Sequence, residues 1–346
     1  MHSHALTEQQ LLAAPMVTVE ADATTPEAVV MLHDFAFRSP AEIMAELSGA
    51  GGHDMAAMGS GADDGGHDMA GMAKPAPVMP APVMPGMVHA NDVAYDAFLA
   101  NDRSLADPEV IEVTPGPFRL RLINGATATA FWIDTGLPTQ VIATDGSPCT
   151  PMTGQHFPIA QGQRLDLLVT IPPEGGAFPI LAQVEAARMR TGVILATRGA
   201  SIARVNEMAP ADAEPIDLRL DAALGAARPL ADRPAALLHV TLGMRPGYVW
   251  TLNDGAPLAA ALGARVEIMF MNPTSMMHPM HLHGHHFQVV DVGRGRFGGP
   301  MRDTVIVPPG AMVTVAVDLD KAGDWFLHCH HLYHMAGGMM TTLQVV

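Results

Sequence analysis

Basic residues are scarce in this chain, with 19 Lys and Arg against 35 Asp and Glu and a formal net charge of -16 at pH 7. Phosphate backbones are neutralised by clustered Lys and Arg, so no nucleic-acid partner is expected and duplex binding is set aside. Long hydrophobic runs are missing as well. The mean hydropathy is slightly positive at +0.19, yet nowhere do 18 apolar residues follow one another, and Met1 does not open a basic stretch leading into an apolar one. The expectation is a soluble chain with no membrane partner and no address of its own. Cysteine is nearly absent, with Cys149 and Cys329 alone. The two could pair in principle, but Cys329 stands between two histidines in a pattern that asks for a metal thiolate, so no disulfide is expected.

What is abundant points elsewhere. With 346 residues, 49% of them hydrophobic, the chain can fill two ordinary cores. Its 25 Met and 17 His supply thioethers and imidazoles, a donor mixture that favours copper over hard cations. Runs rich in Val, Ile and Leu alternate with Gly/Pro turns and sustained helical periodicity is rare, so the class reads as all-β. Two stretches repeat in order. "FRLRLINGATATAFWIDTGLPTQVIATDG" resembles "RVEIMFMNPTSMMHPMHLHGHHFQVVDVG", and "IAQGQRLDLLVTIPPEGGAFPILAQ" resembles "VPPGAMVTVAVDLDKAGDWFLHCHH". Strand, Asn-containing loop, strand, Pro/Gly turn and strand recur, as two copies of one sandwich domain would give. Residues 22–205 read as a domain without a metal centre and residues 206–346 as a metal-bearing one.

Within the first of these, residues 49–87 repeat His-Asp-Met-x-x-Met (His53, Met55, Met58; His67, Met69, Met72) and continue through Met79, Met84 and Met87. So much Gly, Ala and Pro cannot bury a core. The segment reads as a mobile insertion, either a plain linker or a soft-donor loop that captures cuprous ion.

The chemistry gathers near the C-terminus. "HPMHLHG" carries His278, His281 and His283, and "HCHHLYHMAGGM" carries His328, Cys329, His330, His334 and Met339. Alternate residues of a strand face opposite ways, so Cys329 points away from His328 and His330. Cys329 with His278, His334 and a weak axial Met339 makes the donor set of a blue-copper electron-transfer site, with zinc the runner-up metal. His328 and His330 then aim at a second centre, one covalent step from the thiolate, so Cys329, His328 and His330 are the expected catalytic residues. His285, His286 and His331 fit no ligand slot and read as supporting or solvent-facing.

These motifs resemble the multicopper oxidases, the laccase-like family of Greek-key cupredoxin β-sandwiches, in its H-x-x-H-x-H and H-C-H-x3-H-x4-M patterns. The opening "MHSHALTEQQLLAAPMVTV" is similar to a further motif of that family and aligns with "LHCHHLYHMAGGMMTTLQV". Ser3 then faces Cys329, Glu8 faces His334 and Ala13 faces Met339. The resemblance implies type 1 copper at His278, Cys329, His334 and Met339, type 2 copper at His281, and the type 3 pair at His2, His4, His283, His328 and His330. It implies one-electron oxidations of substrate coupled to reduction of dioxygen to water. The family's separate H-x-H-G motif is missing, the one H-x-H-G present being His281–Gly284 inside the H-x-x-H-x-H pattern, so residues 1–21 read as the last corner and strand of a first domain cut short, with ligands from another subunit as the other explanation. Where some relatives carry an acid for proton supply this chain has Met335; Glu8, near the His2/His4 pair, reads as a surface carboxylate, with proton supply as its other reading. The expectation is a periplasmic or secreted oxidase of cuprous ion serving copper tolerance, with small phenols as the other substrate and with electrons entering at an exposed edge of His334 or His278. The alternative is a non-catalytic electron-transfer protein that keeps only type 1 copper.

Overall fold

The computed structural model describes residues 3–18, 24–49 and 90–346. His2 and the candidate loop residues His53 through Met87 lie outside them. Among the described residues the fold is all-β, with twenty strands in three sheets. The first sheet holds β1 (Glu27–Phe35), β2 (Ala97–Ala100), β3 (Val110–Val113), β4 (Gly116–Asn124), β5 (Phe131–Thr144), β6 (Ser147–Ile159), β7 (Arg164–Ile171), β8 (Ala177–Val184) and β9 (Arg190–Thr197). Its order is β2-β1-β4-β7-β5-β8-β9-β3, with β6 paired to β5. The rest of the chain supplies β10 (Ala236–Arg245), β11 (Val249–Leu252), β12 (Leu258–Ala260), β13 (Arg265–Met271), β14 (His278–Leu282) and β15 (Phe287–Asp291). It continues with β16 (Met301–Arg302), β17 (Thr304–Val307), β18 (Met312–Asp318), β19 (Gly323–Cys329) and β20 (Met340–Val345). These form one sheet in the order β11-β10-β13-β18-β15-β16 and another in the order β12-β20-β19-β14-β17.

Period-two patterning explains the strands. Along β4, Phe118, Leu120 and Leu122 are buried while Arg119 and Arg121 between them reach Asp166. Each buried Leu or Phe of this kind stabilises the sheet by about 1.5–3 kcal/mol relative to exposure. The first core gathers around Leu120, Phe131 and Leu167. The second gathers around Phe270, Val289 and Leu327 and contains Cys329 and Met339. Cys149 belongs to the first core, and both cysteines are free.

The repeated Asn loops are built by the same bonds. Asn124 donates from Nδ2 to the carbonyls of Thr129 and Ile159 and accepts from the Ala126 N–H. Asn272 donates to the carbonyls of Met276 and Val307 and accepts from the Thr274 N–H. In each copy a buried side-chain amide staples a loop to a neighbouring strand, because the loop's own carbonyls have no sheet partner.

The offset between the two His-x-His stretches also survives folding. The 3₁₀ turn Leu6–Gln10 stands at the position that corresponds to the short helix Leu332–Ala336. Gln9 docks it, its Oε1 accepting from the Tyr333 hydroxyl at 2.7 Å and from Thr127 Oγ1 at 3.3 Å. Beyond it, residues 12–18 form an isolated bridge at Ala13 and no continuous strand.

Charged groups fasten the two cores together. Arg302 is buried between Asp221, 2.5 Å from its Nε, and Asp145, 3.4 Å from its Nη1. Arg164 forks onto both carboxylate oxygens of Asp303 at 2.6 Å. A lone buried charge here would be strongly destabilising, so the network works only complete.

One buried acid is incompletely satisfied. Glu185 Oε1 accepts from the Ile216 N–H at 2.6 Å while Oε2 has no partner, and burial pushes this carboxyl up to about 7. Folded protein therefore holds a proton that unfolded chain releases near pH 4.5, so this contribution to stability is present below pH 4.5 and is lost as pH rises through about 7. Glu185→Gln is expected to be more stable than the natural protein at pH 8 by about 3 kcal/mol, with the advantage gone below pH 5. Urea unfolding at both pH values checks this, and an equal difference at the two would refute it.

Candidate metal centre

β14 and β19 are antiparallel neighbours, with Met280 opposite Cys329 and His281 opposite His328. This register carries the two His motifs to one corner of the last sheet. On one side, Cys329 Sγ lies 3.7 Å from His278 Nδ1 and 3.8 Å from His334 Nδ1, and the two nitrogens are 3.1 Å apart. All three side chains are fully buried. Three donor atoms at these separations match the edges of a trigonal site with metal–nitrogen bonds of about 2 Å and a metal–sulfur bond of about 2.3 Å. Met339 is fully buried beside them, its N–H donating to the His334 carbonyl and its carbonyl accepting from Cys329 N–H.

On the other side of β19, His328 Nε2 lies 3.1 Å from His283 Nε2, and the His4 ring centroid is 4.8 Å from His283 and 4.7 Å from His328. His281 and His330 stand next in this row, their ring centroids 5.7 Å apart. The alternation expected of a strand is therefore realised: Cys329 and His328 serve opposite sides.

Second contacts set the tautomers. His328 Nδ1 donates to the Cys329 carbonyl at 2.9 Å and His281 Nδ1 to the Asp303 carbonyl at 2.9 Å, which puts the ring proton on Nδ1 and turns each Nε2 toward the other histidines. Thr274 Oγ1 holds His278 Nε2 at 2.8 Å, turning its Nδ1 toward the sulfur. Burial, helped by the charge of His331, brings His334 down to about 4, and burial holds His278 and His328 well below the usual range. They are neutral imidazoles, as ligands must be. Burial also drives the Cys329 thiol well up, so only a bound cation would make it a thiolate.

Two multicopper oxidase family profiles match the sequence, one over residues 68–204 and one over residues 230–346. This chain belongs to the multicopper oxidase family. It is 34% identical over 270 residues to the multicopper oxidase MmcO of Mycobacterium tuberculosis, covering 74% of this chain and 52% of that protein. It is 38% identical over 113 residues to copper resistance protein A of Escherichia coli, covering 31% of this chain and 18% of that protein. A structure of the laccase from B. aclada, in its L499M mutant form, superposes with a TM-score of 0.71 at 20% identity, covering 94% of this chain and 65% of that one, which shows the shared cupredoxin-like fold. The chain thus spans about half the length of MmcO. Copper is the cofactor of the family, and the His, Cys and Met donors gathered here suit it.

Several features of the centre go beyond its sequence expectation or differ from it. His278 and His334 present no exposed edge: both are fully buried, with the Trp250 ring centroid 3.9 Å from that of His334 and 5.2 Å from that of His278. His331, expected as supporting or solvent-facing, is buried and stacks on His334 at 3.7 Å with the planes 6° apart. Asp92 stands over this pair, Oδ1 3.2 Å from His331 Nε2 and Oδ2 3.5 Å from His334 Nε2, and also accepts from the Tyr248 hydroxyl. Burial works to raise the Asp92 carboxyl, but His331 and His334 hold it well below the ordinary carboxylate range. Glu8 is buried, not on the surface, because docking of the Leu6–Gln10 turn carries it inward. It lines a cavity of about 220 Å³ together with Gly125, Gly162, Arg164, His281 and His330. His285 is buried against Trp325, His286 is half-exposed beside the Asp145 carbonyl, and Met335 packs with Ile43 and Leu332. Asp92, Gly162 and Trp250 were missed. No local motif marks them, and tertiary packing alone brings them to the histidines.

Proposed function

We propose that this protein couples one-electron oxidation of a reductant at the Cys329 side of β19 to four-electron reduction of dioxygen to water on its His328 side. One observation carries this reading: adjacent residues of one strand feed two donor groups on opposite faces, so a single covalent step joins them. His278, Cys329, His334 and Met339 would hold type 1 copper. His281 would hold type 2 copper, and His2, His4, His283, His328 and His330 the type 3 pair. Copper there would supply reversible one-electron chemistry and a place for dioxygen. The protein contributes the rest: imidazoles fixed in one tautomer, a packed apolar surround for Cys329, and Glu8 beside His281 and His330, where a carboxyl can hold a proton.

Cuprous ion is the favoured substrate and copper tolerance the role, in a periplasmic or secreted setting, with small phenols as the second substrate. The Met-rich insertion and the similarity to copper resistance protein A support this. The alternative without oxygen chemistry, an electron-transfer protein with type 1 copper alone, is favoured by the lack of a second H-x-H-G beside His281–Gly284. Oxygen uptake decides between them. Four reductant equivalents per dioxygen, without peroxide, is the expected result; no uptake by a blue, copper-loaded protein would leave the electron-transfer reading. Deleting residues 49–87 is expected to depress cuprous oxidation much more than phenol oxidation, and an equal loss on both would rule out a substrate-capturing loop.

A further inference from the structure

Three methionines and a histidine share the outer face of the β10-β13-β18 sheet, and the oxidase reading has no use for them. In the parallel pair β10/β13, His239 lies opposite Met269 and Thr241 opposite Met271. In the antiparallel pair β13/β18, Met269 lies opposite Thr314 and Met271 opposite Met312. Residues in register point to the same face with Cβ atoms about 4.5–5.5 Å apart, and same-face residues two apart on one strand are separated by about 7 Å. His239, Met269, Met271 and Met312 therefore form one connected patch.

The patch faces outward. Along β13, Val266, Ile268 and Phe270 are fully buried in the core that contains Cys329, whereas Glu267, Met269 and Met271 alternate with them and are only half-buried. His239 is exposed and Met312 is 55% exposed. None of the three methionines packs against the core cluster. The solvent-facing positions of an antiparallel sheet ordinarily carry polar side chains. Glu267, in the next row, is taken up by Arg296 at 2.7 Å, so the donors this patch offers are thioethers and an imidazole.

We propose that His239, Met269, Met271 and Met312 bind one soft monovalent cation, cuprous ion. Thioether sulfur and neutral imidazole select cuprous ion over hard divalent cations. The unbranched methionine side chain, with three rotatable bonds, can turn its sulfur onto a common ion from neighbouring strand positions. The site lies on the far side of β13 from Cys329, and binding there requires no oxidation, so it goes beyond the oxidase reading and stands apart from it.

Silver ion, a soft monovalent cation that does not change valence here, is the probe. Full-length protein with ¹³C-labelled methionine ε-methyl groups is titrated with silver ion and followed by NMR. The methyl resonances of Met269, Met271 and Met312 are expected to move together and saturate at one equivalent for the patch. Met271→Leu, which conserves volume, and His239→Ala are each expected to weaken this saturation at least tenfold. Three methyls that stay still, or that move with unrelated midpoints, would overturn the proposal. So would a zinc titration that moves them as well as silver does, or a Met271→Leu variant of unchanged affinity. Because no turnover is involved, failed dioxygen uptake leaves this result untouched and the reverse also holds.

Discussion

Loaded with cupric ion, the protein is expected to show the intense visible absorption of a cupric thiolate, and Cys329→Ser to lose it completely while copper on the His328 side remains. The sulfur is 3.7 and 3.8 Å from two neutral imidazole nitrogens in a fully buried site, and serine offers a hard oxygen that cannot give the same charge-transfer band. The His331 N–H points at the same sulfur from 3.4 Å, a contact that tunes a thiolate but does not create one. Absorption spectra and copper content of natural and Cys329→Ser protein test this together. A folded, copper-loaded natural protein without colour would overturn the type 1 assignment.

How much of this was legible in the sequence depends on how local each feature is. Cys329, His334 and Met339 stand within a few residues of one another, and strand alternation alone separates Cys329 from His328. Asn124 and Asn272 could be matched because each repeat carries its own loop, and the equivalent bonds they form confirm that the loops are built alike. The environment of the site was not legible. His334 was expected to offer an edge to solvent, but Trp250, His331 and Asp92 all reach it from positions that no spacing rule connects to it. Glu8 looked exposed because its own stretch is polar, and only the docking of Gln9 on Tyr333 and Thr127 buries it. Local periodicity reports which face a residue takes on its own element, and it is silent on what another element lays over that face.

Gly162 is the clearest case of such a hidden constraint, and its substitution is expected to separate the two halves of the centre. It sits in the turn before β7 at φ +77, and a Cβ built there would meet the His330 ring at 2.3 Å. Gly162→Ala must therefore strain a left-handed backbone, at about 1–3 kcal/mol, and also push His330 from its place beside His281. A shift of about 1 Å in one ligand is enough to cost on the order of 10²-fold in a positioned site. Copper held by the His281/His330 side is expected to bind at least tenfold more weakly, while the blue absorption is retained, since Cys329, His278 and His334 gather on the other side of β19. Gly199→Ala supplies the control: its φ is +80, but nothing lies within 4 Å of the added Cβ. Copper titrations of the two variants in the Cys329→Ser background measure the histidine-only half directly. If Gly199→Ala weakened that binding as much as Gly162→Ala, backbone strain and not the packing of the turn on His330 would be the cause. If neither did, His330 would not be a ligand.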